Sequence, residues 1–132
     1  MLQPQRSLLV DTDILIDYLN GIEQMRAILD SPHYRVYYAA VTRKELLAKP
    51  GLSATERRRI GMLLLKHRLL PLDKTIAERF SHLFVKYADH GLRKGDALVA
   101  ATAWSRRLPL LTRNTRHYHF IAEITRLDPS EL

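Results

Sequence analysis

Short apolar runs alternate with amphipathic segments along this chain. Residues 7–10 (SLLV) are a brief apolar run closed by polar residues, the pattern of a buried strand. A helix is predicted over 14–20, with Asp13 placed to cap it and Gly21 to close it. Ile22, Met25, Ile28 and Leu29 recur at helical spacing, which predicts a second helix over 22–30, broken by Pro32. The β-prone RVYYA of 35–39 predicts a second strand. Thr42 and Glu45 have the spacing of a capping box and predict a short helix through Ala48, stopped by Pro50. Ser53 and Glu56 repeat that spacing ahead of a helix over 54–67.

Residues 69–72 predict a third strand, which Pro71 confines to an edge or an end. Asp73 is placed to cap a helix reaching residue 88, whose apolar face carries Ile76, Ala77, Phe80, Leu83, Phe84 and Tyr87; Gly91 ends it. An alanine-rich helix opens at Gly95 and Asp96, and LPLLT of 108–112 predicts the fourth strand. After the polar RNTRHYH comes FIAEITRL, read as a turn and a last edge strand. Strands alternating with helices specify the α/β class, an α/β/α sandwich around a central, mainly parallel sheet. No repeat, low-complexity tract or linker divides the chain, so one domain over residues 1–132 is expected.

Composition sharpens this picture. A chain of 132 residues buries roughly two-thirds of its unfolded surface. Its 46% hydrophobic content is not that of a disordered segment. Lys and Arg number 21 against 14 Asp and Glu, for a net charge of +7 and a pI near 10.0. Such a balance suits a polyanion, either nucleic acid or an acidic membrane surface. There is no cysteine, which excludes disulfides and thiolate metal sites. The first ten residues hold only three consecutive apolar positions, too few for a secretory leader. No apolar stretch approaches the roughly 20 residues of a membrane span. A cytoplasmic protein with no membrane partner is expected.

The chemistry begins with Asp11, which directly follows the first apolar run. A buried carboxylate is costly unless it is paired, hydrogen-bonded or bound to metal. In open α/β sheets, sites form outside the carboxyl ends of the strands. Thr112, Arg113 and Asn114 reach that edge from the fourth strand, and Glu45 and Asp96 from the starts of two helices. Three carboxylates gathered there repel one another, and a divalent cation relieves the repulsion. Oxygen donors without cysteine select Mg²⁺ or Mn²⁺ over zinc. Each acid also has a local explanation: Asp11 as a turn residue, Glu45 as the last place of a capping box, Asp96 as a helix cap. Their ordered convergence on one edge favours the metal site.

Three segments, LLVDTDILIDYLNG, VTRKELLAKP and GLRKGDALVAATAWSRRLPLLTRNTRHYHF, occur in this order over most of the chain. Together they resemble the successive motifs of PIN-domain nucleases, and most of all the VapC-type toxins of type II toxin–antitoxin pairs. The resemblance implies a metal-dependent endoribonuclease that inhibits translation or growth and is held inactive by a small antitoxin. The family's acidic positions match Asp11, Glu45 and Asp96. Asp11 and Asp96 are then metal ligands, and Glu45 is a direct or water-mediated one. Homodimers and toxin–antitoxin hetero-oligomers are implied too, with a basic side chain of the antitoxin set into the acidic site. Apolar surface on the early helices is a candidate interface.

Further positions carry two readings each. Thr112 holds a water or the scissile phosphate, or simply ends its strand. Asn114 positions Asp11 or a water, or is a turn residue. Arg113 and Arg116 adjoin the site and are candidates to grip RNA phosphates. His117 and His119 invite a general-base role, though histidines in surface loops usually have none. Asp17 is read as a solvated or locally bonded helix residue, and Trp104 as a core or dimer contact. The chain departs from the family pattern twice. Asn114 and His117 stand where a fourth carboxylate is usual, which bears on a second metal. Asp13 stands where Ser, Thr or Asn is usual; it either caps the helix or partly replaces the missing charge.

Other classes fit less well. A haloacid-dehalogenase phosphatase would share the D-x-D of Asp11 and Asp13 but needs Thr where this chain has Leu15. A receiver domain needs a phosphoacceptor Asp after the third strand, where Asp73 is the one candidate, and a Lys after the fifth, which this chain lacks. A non-catalytic RNA-binding module would keep the basic charge without cleavage.

Overall fold

The computed structural model describes residues 4–132. Part of the leader reading falls on residues 1–3, outside the described residues. The elements are β1 (Arg6–Val10), α1 (Thr12–Leu19), α2 (Glu23–Leu29), β2 (Tyr34–Ala39), α3 (Ala40–Leu47), α4 (Ala54–Lys66) and β3 (Arg68–Leu70). There follow α5 (Lys74–Lys86), a 3₁₀ turn (Ala88–His90), α6 (Lys94–Arg106), β4 (Leu110–Leu111), α7 (Thr115–Tyr118), β5 (Arg126–Leu127) and a 3₁₀ turn (Pro129–Glu131).

The five strands form one sheet in the order β3-β2-β1-β4-β5, and every pairing is parallel. A parallel sheet covered on both faces needs apolar side chains on both, which is why β1 is a run rather than an alternation. Leu9 packs on one face with Leu83, Val99, Ala100 and Leu110. Leu8 and Val10 point to the other, against Ile14, Met25, Leu29 and Leu63. Each such fully buried Leu contributes about 1.5–3 kcal/mol. The alanines of α6 let that helix lie close on the sheet: Ala97, Ala100 and Ala101 are completely buried.

β1 leads outward through β2 to β3, and the chain then returns to place β4 on the other side of β1. The strand order therefore reverses between β1 and β4, and the crevice at their carboxyl ends is the natural place for a site. Asp11 and Thr112 are the first residues beyond those two strands.

Several expectations hold in detail. Ser53 and Glu56 form both bonds of a capping box, and Asp73 accepts from the Ile76 amide at 2.8 Å. β3 stops at Leu70, before Pro71, at one sheet edge, and β5 forms the other. Others are corrected. Asp11, not Asp13, caps α1, accepting from the Thr12 amide at 2.9 Å. The Thr42–Glu45 capping box does not form. α3 starts at Ala40 with no side-chain cap, because Thr42 is buried and its hydroxyl accepts from Thr12 at 3.0 Å. Asp96 is not a cap either; α6 starts at Lys94 with Arg93 in the cap position, and Asp96 lies in its first turn. The polar segment after β4 contains the short helix α7. Among the described residues, no helix is long and apolar enough to cross a membrane.

Candidate active site

Asp11 is fixed by the sheet before its side chain does anything. Its amide donates to the Leu111 carbonyl at 3.0 Å, extending the β1–β4 ladder to the crevice. The carboxylate, 5% exposed, is then held at both oxygens. Oδ1 accepts from the Thr12 amide at 2.9 Å and the Tyr118 hydroxyl at 3.2 Å, and Oδ2 accepts from the Thr112 hydroxyl at 2.9 Å. Burial pushes the Asp11 carboxyl above its ordinary range, and the charge of Asp96 adds to this; the hydrogen bonds from Thr112, Thr12 and Tyr118 oppose it.

Asp96 faces Asp11 from the first turn of α6. Its Oδ1 accepts from the same Tyr118 hydroxyl at 3.2 Å, and its Oδ2 lies 3.2 Å from His117 Nδ1. Burial, with the charges of both carboxylates, raises the Tyr118 hydroxyl far above its ordinary range, so it stays protonated. Glu45 approaches from α3 on the solvent side. A Cβ on Gly95 would lie 3.2 Å from Glu45 Oε1, so the absent side chain leaves room for the Glu45 carboxylate beside α6. Burial raises the Glu45 carboxyl, followed by the charges of Asp11 and Asp96.

The expected three-acid set thus takes a specific form. Asp11 and Asp96 are bridged by one hydroxyl, and Glu45 shares their electrostatic field. Among the described residues, no three His, Asp or Glu side chains are already drawn to the spacing of ligands on one ion. Like charges repel, and Glu45, on the longer and more exposed side chain, stands off from the pair.

A second acidic layer lies behind the first. Asp13 Oδ2 accepts from the Arg113 amide at 3.0 Å, while its Oδ1 is buried without a hydrogen-bond partner. Burial, together with the charge of Asp11, pushes the Asp13 carboxyl up to about 6. Asp17 is buried rather than solvated, and its partner is not local: Arg113 Nη2 lies 2.6 Å from Asp17 Oδ2. The guanidinium expected on a phosphate is therefore committed to α1, though it remains half exposed.

Thr112 is 2% exposed, and its hydroxyl also accepts from the Asn114 amide at 3.0 Å. Asn114 is exposed and supports the site through its backbone; its carbonyl accepts from the His117 amide at 3.0 Å. Arg116 is exposed on α7. His117 meets Asp96, whereas the His119 ring lies 3.3 Å from the Thr115 carbonyl of its own turn. Tyr118, the one residue among those described that hydrogen-bonds both central acids, was not singled out by its sequence context. Its signal is modest: a tyrosine amid polar residues just past a strand end, where a buried hydroxyl needs an acceptor.

The chain matches the PIN domain family over residues 8–122. This chain belongs to the PIN domain family. Ribonuclease VapC10 of Mycobacterium tuberculosis is 32% identical over 124 residues, covering 89% of this chain and 90% of that protein. Membership of the VapC group follows. A toxin-antitoxin complex from Klebsiella pneumoniae contains a chain 28% identical with a TM-score of 0.76, covering 92% of this PIN domain and 97% of that chain. DNA-bound VapBC from Salmonella typhimurium shares the fold, with a TM-score of 0.80 at 22% identity, over 96% of this chain and 99% of that one. For this PIN domain, the phosphatase and receiver-domain readings fall away.

Proposed function

We propose that this chain is the endoribonuclease toxin of a toxin–antitoxin pair, one domain over residues 1–132, and that it cuts RNA with the help of Mg²⁺ or Mn²⁺. The observation that carries the reading is the convergence of Asp11 and Asp96 on one buried hydroxyl, with Glu45 in the field of both.

The donor chemistry fits a hard dication. Every candidate ligand is a carboxylate oxygen, there is no cysteine, and Asp11 and Glu45 are both destabilised as anions by burial and by neighbouring charge. Asp11 and Asp96 would hold the ion, and Glu45 would reach it directly or through a water. When bound, such an ion neutralises phosphoryl charge and makes water a better nucleophile. The chain's own residues orient and bind. Thr112 fixes Asp11 through Oδ2, Asn114 fixes Thr112 through its amide, and His117 fixes Asp96 through Oδ2. Arg116 is free to meet RNA phosphates, and Arg113 meets them only with the part not committed to Asp17. The net charge of +7 favours association with RNA. In-line attack by water would leave 5′-phosphate and 3′-hydroxyl ends.

The antitoxin is the second partner. A groove of about 340 Å³ begins at Thr12 and Glu45 and runs between α1, α3 and α4 past Ile16, Leu46 and Ile60. An amphipathic segment seated there would bring a basic side chain to the acidic end. A homodimer and a cytoplasmic location complete the reading. The test is cleavage of RNA by the purified protein with Mg²⁺ or Mn²⁺ and with EDTA, beside Asp96→Asn and Asp11→Ala. Cleavage lost to EDTA and to both substitutions supports the reading. RNA binding without metal-dependent cleavage in the wild type would make the chain a binding module instead.

A further inference from the structure

The Tyr118 hydroxyl lies 3.2 Å from Oδ1 of Asp11 and 3.2 Å from Oδ1 of Asp96. A dedicated O–H···O bond is typically about 2.7–2.8 Å. Two equal, longer distances describe one proton shared between two acceptors. A buried tyrosine that only needed an acceptor would be satisfied by one carboxylate. Here two surround a hydroxyl that has a single proton to give, so the arrangement serves the carboxylates rather than the tyrosine.

Among the described residues, every other polar partner of the pair's carboxylate oxygens fixes one acid alone. Thr12 and Thr112 hold Asp11, and His117 holds Asp96. Tyr118 is the group that ties their relative position. Its support is rigid: the ring is completely buried among the residues packed under α6. The backbone around it is pinned as well, His119 N donating to Thr115 O at 2.8 Å and Ile121 N to Tyr118 O at 3.0 Å.

We propose that Tyr118 is a positioning residue that sets the spacing of Asp11 and Asp96 for the cation. The inference rests on the metal-dependent reading given above. Residues that hydrogen-bond metal ligands from outside commonly carry about 10–100-fold in metal affinity. Tyr118→Phe keeps the ring in the core and removes only the shared hydroxyl.

The test is Mn²⁺ titration of the full chain, without RNA, by calorimetry and by the electron paramagnetic resonance of the ion, with circular dichroism reporting the fold. The expected result is a Kd about 10–100-fold higher in Y118F than in wild type, with an altered spectrum of the bound ion and an unchanged fold. If Y118F does not fold, Tyr118→Met, which also lacks the hydroxyl, takes its place. Equal or tighter Mn²⁺ binding in the folded variant overturns the role of Tyr118 and leaves the nuclease reading standing. A wild type that binds no Mn²⁺ overturns both.

Discussion

Thr112 and Asp11 are separated by 101 positions in sequence, yet the Thr112 hydroxyl donates to Asp11 Oδ2 at 2.9 Å in a buried setting. The bond joins the residues just past β1 and β4 across the point where the strand order reverses. Removing the donor leaves a buried carboxylate oxygen unsatisfied, at a cost of about 1–3 kcal/mol. Thr112→Val should lower stability in urea denaturation by that amount and reduce RNA cleavage, while Thr112→Ser retains most of both. Equal stability of the Val and Ser variants would show that the bond carries no energy.

Arg113 is held at two points on α1, its amide by Asp13 and its guanidinium by Asp17. Because half of the arginine is exposed, the ion pair is screened, and Arg113→Ala should cost about 1 kcal/mol. Asp17 is the buried partner, so Asp17→Asn in the Arg113→Ala background should recover part of that loss. A double-mutant cycle measures the coupling, expected between about 0.5 and 3 kcal/mol. Strict additivity would mean that the pair does not hold the segment carrying Thr112, His117 and Tyr118.

The acidic layers give a pH dependence with a definite sign. The Asp13 carboxyl is raised to about 6 in the fold from an ordinary 3.8, and those of Asp11 and Glu45 are raised as well. An acid raised on folding binds its proton more readily in the native state. Its stabilising contribution is complete below the unfolded pKa and is lost as pH rises through the folded one. In protein stripped of divalent ions, these three acids should therefore add stability as pH falls from 7 through 6 toward 4, against the opposite contributions of His67, Asp30, Glu123 and Asp128, whose shifts are downward. Asp13→Asn should flatten this part of the profile and raise the melting temperature at pH 7. A stability difference between wild type and Asp13→Asn that does not change across this window would contradict the assignment.

Gly95, in the first turn of α6, lies beside the Glu45 carboxylate. Gly95→Ala adds a Cβ 3.2 Å from Glu45 Oε1, which only the end of a flexible side chain has to yield. Helix propensity favours Ala over Gly by up to about 1 kcal/mol. The variant should thus be as stable as wild type or more so, yet cleave RNA more slowly because Glu45 is displaced. Lost stability with undiminished cleavage would place Glu45 outside the chemistry.

The parts of the fold written in local patterns were legible. The β1 run, the alanine-rich α6 and the caps at Ser53 and Asp73 depend on neighbours within a turn, and they formed as expected. The errors arose where a distant partner competed with a local one. Thr42 has the spacing of a cap, but Thr12 claims its hydroxyl; Asp17 has the spacing of a surface acid, but Arg113 claims it. Asp11 and Asp96 were legible as neighbours because a strand end and a helix start meet at one edge, whereas Glu45, read as lying at a helix start, comes from the second half of α3. Tyr118 was not, since nothing within a few residues of it indicates that two carboxylates from opposite parts of the chain will enclose its hydroxyl.

The central claim is that Asp11 and Asp96, brought together across the β1–β4 crevice, hold a divalent cation. Crystals grown with Mn²⁺ test it through the anomalous signal of the metal. One strong peak bonded to oxygens of both Asp11 and Asp96 is the predicted result. Manganese bound elsewhere, or no peak between those two carboxylates at saturating metal, would contradict the account.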